Sequence, residues 1–103
     1  MVRDLIPEII RQNGNVPETR VLNEREYCAE LEKQFQEELG EYLAAKTPEA
    51  RLEEMADIFE VITALNAAEG RPIEHVIEAQ KRKRAERGGF SEKIFLESVE
   101  EPE

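Results

Sequence analysis

The sequence predicts an all-α fold, an antiparallel helical bundle, and three observations predict it. Apolar residues recur at helical spacing through two long stretches, 24–46 and 48–68. Helix punctuation stands where those stretches begin and end: Asn23 with Glu26 three residues on, Thr47-Pro48, and Gly70 followed by Pro72. The break between the two stretches is short, which makes them antiparallel neighbours.

In chain order, residues 2–12 form a short amphipathic helix carrying Leu5, Ile6, Ile9 and Ile10. Pro7 belongs in its first turn, and Asn13-Gly14 stops it. Residues 14–22 are irregular to extended. Asn23 caps the first long helix, in which Gly40 is a local cost of about 1 kcal/mol relative to Ala; close packing by a facing helix or a ligand would explain it. Thr47 and Pro48 open the next helix, which runs to about residue 68. A last helix spans 72–87, with Ile73, Val76 and Ile77 turned inward, and ends at Gly88-Gly89. Ile94, Phe95 and Leu96 suggest that 90–99 is extended and pairs with 19–22 as a short two-stranded appendage.

A chain of 103 residues, 40% hydrophobic and 37% charged, is expected to be one domain with a thin core. Helices with so little to bury often borrow burial from a second copy, so a homo-oligomer is expected. The formal net charge of −10 argues against affinity for nucleic acid or for an anionic membrane. The single cysteine, Cys28, excludes an internal disulfide and reads as a structural residue in a reducing, cytoplasmic protein. No apolar run is long enough to span a bilayer.

The chemistry is concentrated in Glu37-Glu38-x-x-Glu41 on one helix and Glu54-x-x-Asp57 on the next. Acids three apart share one helix face. Glu38 fills the missing step of the apolar stripe Tyr27, Leu31, Phe35, Tyr42, and Glu54 projects inside the apolar face of Leu52, Met55, Ile58, Phe59, Val61, Ile62 and Leu65. A carboxylate turned inward must be paired, hydrogen-bonded or metal-bound. A solvated acidic face is the alternative, but such a face has no reason to interrupt a core stripe. Carboxylate oxygens without a Cys or His set suit Mg²⁺, with Mn²⁺ as a substitute, rather than Zn²⁺. A di-iron bundle needs Glu-x-x-His pairs, and the one histidine, His75, follows Pro72 by three.

Magnesium on several carboxylates points to phosphate chemistry, which also needs cations. Lys81, Arg84 and Arg87 lie in the dense basic run 81–87 and are candidates for binding phosphates, as is Arg3. The same run also reads as a solvated helix end offsetting the helix dipole.

Together, the acidic motif, the opening Val2-Arg3-Asp4-Leu5-Ile6-Pro7-Glu8-Ile9-Ile10 and the closing Arg87-Gly88-Gly89-Phe90 resemble the all-α nucleoside triphosphate pyrophosphohydrolases. This superfamily includes the MazG-like proteins, and the similarity is to its phosphoribosyl-ATP pyrophosphohydrolase-like branch, over residues 2 to about 97. The resemblance implies a MazG-like helical bundle assembled as a homodimer or homotetramer. It places the metal on Glu38, Glu41, Glu54 and Asp57, with Glu37 and Glu38 as catalytic residues, Glu37 orienting or activating water. The reaction it implies splits a nucleoside triphosphate between the α- and β-phosphates, in the service of nucleotide-pool clearance. Many relatives carry Asn seven residues after the metal-binding Asp, where this chain has Ala64. A catalytically idle helical module that binds nucleotide or a protein partner is the rival reading.

Overall fold

The computed structural model describes residues 1–102. The chain is all-helical, with four α-helices and, among the described residues, no strand. They are α1 (Ile6–Gln12), α2 (Glu24–Ala44), α3 (Pro48–Ala68) and α4 (Ile73–Arg87). The chain divides into two compact units, Met1–Ile73 and a second that begins at Glu74.

In the first unit the centre is a helical hairpin in which α2 packs on α3. Its boundaries follow the punctuation. Asn23 accepts a hydrogen bond from the Glu26 amide at 2.8 Å while the Glu26 carboxylate reaches back to the Asn23 amide, closing a capping box. Arg20 clamps the same glutamate at 2.9 Å and, with the Asn23 amide, holds its carboxyl below the usual range. The Thr47 hydroxyl accepts from the Ala50 amide at 3.1 Å, and Pro48 occupies the first turn, where its missing N–H costs nothing. At the far end of α3, Asn66 is buried and its side chain is engaged at both ends, donating to the Ile62 carbonyl and accepting from Arg71. Gly70 follows at φ +78°, a left-handed turn that a side chain would resist.

The core is thin, as composition predicts. Among the described residues, Leu31 and Val61 are the buried apolar side chains, at 3% and 8% exposure, one from each helix of the hairpin. Tyr27, Phe35 and Tyr42 of the α2 stripe are half-buried. Leu52, Met55 and Phe59 of α3, expected inside, are exposed, and Leu39 and Leu43 of α2 are exposed as well.

Two further expectations are corrected. Segments 19–22 and 90–99 form no strand pair. Val21, Phe90, Ile94 and Phe95 are almost fully exposed, and a two-stranded ribbon without a buried face is not stable on its own. Around Gly40 nothing lies within 4 Å of the position a Cβ would take, so close packing is not what places a glycine there.

In the second unit, α4 leaves Ile77 and Ala79 half-buried and Val76 exposed. Arg84 and Arg87 stand in its last turn, where positive charge complements the carbonyl end of the helix. Among the described residues no helix is long and apolar enough to cross a membrane.

Candidate metal centre

The antiparallel packing of α2 on α3 brings together acids that are sixteen residues apart, Glu38 and Glu54. Glu38, Glu41 and Glu54 each offer a carboxylate oxygen, and these oxygens all lie within 4.8 Å of one another. Two ligands on opposite sides of a cation are separated by at most twice the metal–oxygen distance, about 4.2 Å for Mg²⁺ and about 5 Å for Ca²⁺. Oxygens within 4.8 Å of one another can share a cation of calcium's size as they stand, and Mg²⁺ once they close by a few tenths of an ångström.

Burial grades across the cluster. Glu38 is only 9% exposed, Glu54 is half-buried and Glu41 reaches solvent. The Gln34 side-chain amide donates to Glu38 Oε1 at 2.8 Å and fixes that carboxylate from one turn earlier on α2. The other oxygens have no such donor: Glu38 Oε2 and Glu54 Oε2 are both buried without a hydrogen-bond partner. A buried acceptor left unpaired is costly. Glu54 shows the strain most directly, its carboxyl pushed up to about 7. Burial is the main cause, followed by the close Glu38 and Glu41 carboxyls, whose negative charge and acceptor oxygens favour the protonated form. Orphaned buried oxygens, an all-oxygen donor set and a proton held where a cation would sit together fit a divalent metal.

The fourth expected ligand, Asp57, stands outside this group. It lies one turn beyond Glu54 on α3 and is half-buried, and its Oδ1 accepts from Arg3 Nη2 at 2.6 Å. Arg3, expected to reach phosphates, is thus engaged with an acid. Glu37 is exposed and also lies outside the trio. Lys81, Arg84 and Arg87 are exposed on α4 in the second unit.

Beside the cluster opens a cleft of about 840 Å³. Residues 1–6 and Ile9 form one wall; Tyr27, Leu31, Gln34 and Glu38 of α2 and Asp57, Glu60, Val61 and Ala64 of α3 form the other. Glu38 belongs to both the carboxylate cluster and the cleft, so a molecule in the cleft touches the ligand set. Sequence reasoning missed Gln34 and the cleft wall built by the opening segment. Gln34 was legible, since it stands four residues before Glu38. The wall was not, because only tertiary folding brings residues 1–9 to the hairpin.

The chain is 47% identical over 53 residues to an uncharacterised protein of Mycolicibacterium smegmatis (strain ATCC 700084 / mc(2)155). The match covers 52% of this chain, which spans about half, 54%, of that curated relative. No family model matches the chain. No solved structure matches it.

Proposed function

We propose that this chain is a Mg²⁺-dependent nucleoside triphosphate pyrophosphohydrolase, built on a helical bundle of the MazG-like type and acting in nucleotide-pool clearance. One observation carries the reading: carboxylates from two helices converge on a volume where two buried oxygens lack any donor. The resemblance of the acidic motif and both flanks to that superfamily supplies the reaction class.

In this reading Glu38, Glu41 and Glu54 hold the cation, and Asp57 completes the set. A bound Mg²⁺ would neutralise the triphosphate and lower the pKa of an attacking water. Gln34 locks the Glu38 carboxylate so that Oε2 faces the site rather than swinging to solvent. The cleft receives the nucleoside, with Tyr27 and Leu31 offering apolar surface. Water oxygen attacks the α-phosphorus, the bond from that phosphorus to the α–β bridging oxygen breaks, and pyrophosphate leaves. The water proton passes to a carboxylate, Glu37 in the role the resemblance gives it. The homodimer or homotetramer that accompanies this reading is supported by the exposed apolar residues Leu39, Leu43, Leu52, Met55 and Phe59 on the hairpin.

The test is to incubate the protein with each common ribo- and deoxyribonucleoside triphosphate and Mg²⁺, and to measure pyrophosphate and monophosphate together. Turnover that disappears in Glu38→Gln is the expected result. Turnover that survives Glu38→Gln rejects the site, and no turnover of any nucleotide favours the idle helical module.

A further inference from the structure

Asp57 and Arg3 are separated by 54 positions, yet their side chains meet at 2.6 Å. Among the described residues this is the one side-chain hydrogen bond that ties the opening segment, 1–5, to α3. That segment is otherwise lightly held. Met1, Val2 and Leu5 are exposed even though they line the cleft. Asp57 follows Glu54 by three residues, so its carboxylate sits on the neighbouring turn of the face that carries the cluster.

We propose that Arg3 is a displaceable cation for Asp57: its guanidinium holds the carboxylate that a divalent metal at Glu38, Glu41 and Glu54 would recruit, so metal loading and release of the opening segment are one event. The inference rests on the metal-site reading above. Beyond the convergence of the acids, Glu38 is nine-tenths buried and its Oε2 has no hydrogen-bond partner. Arg3 occupies Asp57 Oδ1, so a metal that draws on that oxygen competes with the guanidinium. The competition is also finely poised, because the pair is 59% and 38% exposed at its two side chains, and ion pairs in water contribute little. A strong, buried bridge would lock the segment; this one yields to an ion. Once released, Arg3 is a free fork-shaped donor at the cleft wall, the geometry that phosphate oxygens accept best. The positioning role is therefore double: Arg3 steadies Asp57 before the metal arrives and is set free when the metal can bring a phosphate.

The experiment uses the full chain and no nucleotide. Mg²⁺ affinity is measured by titration calorimetry for wild type, Arg3→Ala and Asp57→Asn, and amide hydrogen exchange is followed over residues 2–6 with and without Mg²⁺. Competition predicts that Arg3→Ala binds Mg²⁺ tighter, by a factor of two to about five, the range an exposed pair allows. It predicts that Mg²⁺ speeds exchange at residues 2–6 in wild type, and that in Arg3→Ala those amides are fast from the start and indifferent to the metal. Asp57→Asn should show the same fast segment with weaker Mg²⁺ binding. Equal or weaker binding by Arg3→Ala, or a segment whose exchange Mg²⁺ leaves unchanged or slows, overturns the proposal while the metal site stands. If wild type binds no Mg²⁺, the metal-site reading falls and this proposal falls with it.

Discussion

Glu38 on α2 and Glu54 on α3 each bury a carboxylate oxygen that accepts no hydrogen bond, and both belong to the same trio of converging acids. Two buried acceptors without a donor cost stability until a cation or proton reaches them. The hairpin nonetheless keeps them on its inner side, where Leu or Ile would stabilise it. In the reading proposed above, a bound cation recovers the folding free energy this arrangement sacrifices.

Divalent metal should accordingly raise stability. At a hundred times its dissociation constant, Mg²⁺ adds about 2.7 kcal/mol by mass action, which for a domain of this size moves the thermal midpoint by roughly 10–20 °C. Thermal unfolding in chelator and then in rising Mg²⁺ measures it. Glu38→Gln should melt at or above the metal-free wild-type midpoint, because it removes a buried charge, and should gain little from Mg²⁺. An identical Mg²⁺ response in wild type and Glu38→Gln would place the ion elsewhere.

The pH dependence has a definite sign. Glu54 titrates near 4.5 when unfolded and near 7 in the folded, metal-free chain. Between those values the folded state keeps a proton that the unfolded state has released. The stability this proton contributes is whole below about pH 4.5 and is lost as pH rises through about 7. In chelator the thermal midpoint should therefore slope downward from pH 5.5 to about 7 and level off above it, and Glu54→Gln should flatten the slope. Metal must displace the same proton, so Mg²⁺ affinity should climb over that interval and level off above it. A chelated wild type whose midpoint is flat or rising across pH 5.5–8, with Glu54→Gln following the same curve, would show that burial does not hold this acid neutral.

What the sequence could disclose was local. Thr47, Pro48 and Asn23 act within three residues of themselves, so the helix boundaries they set were readable, and the observed caps are the ones their chemistry demands. Glu38 was readable as an inward acid because it breaks a four-residue rhythm on its own helix. The Arg3–Asp57 pair was not, since nothing in a pattern tells an arginine which of many carboxylates it will meet 54 positions on. The wide apolar face of α3 misled for a related reason. Periodicity shows that Leu52, Met55 and Phe59 share a side, but not that a partner element covers it. The strand pair failed because β-branched and aromatic composition at 19–22 and 90–99 came without a buried face to receive it.

Gly40 offers a prediction free of the metal question. It lies inside α2 with open space where a Cβ would be. Gly40→Ala should stabilise the chain by about 1 kcal/mol through helix propensity alone, and denaturant unfolding should show the midpoint rising with the slope unchanged. A destabilised Gly40→Ala would mean that the position meets a neighbour in the assembled protein.

The sharpest contrast in the core is between Leu31 and Leu43, two leucines of α2 at 3% and 67% exposure. Leu31→Ala truncates one of the two apolar side chains buried among the described residues, leaving a hole in the α2–α3 core, and should cost about 2–5 kcal/mol. With so thin a core that is a large share of the total, and the cooperative transition should move down by tens of degrees or vanish. Leu43→Ala removes the same atoms from a solvent-facing position and should stay within about 0.5 kcal/mol in the isolated chain. In a homo-oligomer that covers Leu39, Leu43 and Leu52, the cost of Leu43→Ala becomes dependent on protein concentration. Melting both variants at two concentrations a hundredfold apart separates the cases. A Leu43→Ala penalty equal to that of Leu31→Ala at high dilution would show that the face is covered within a single chain.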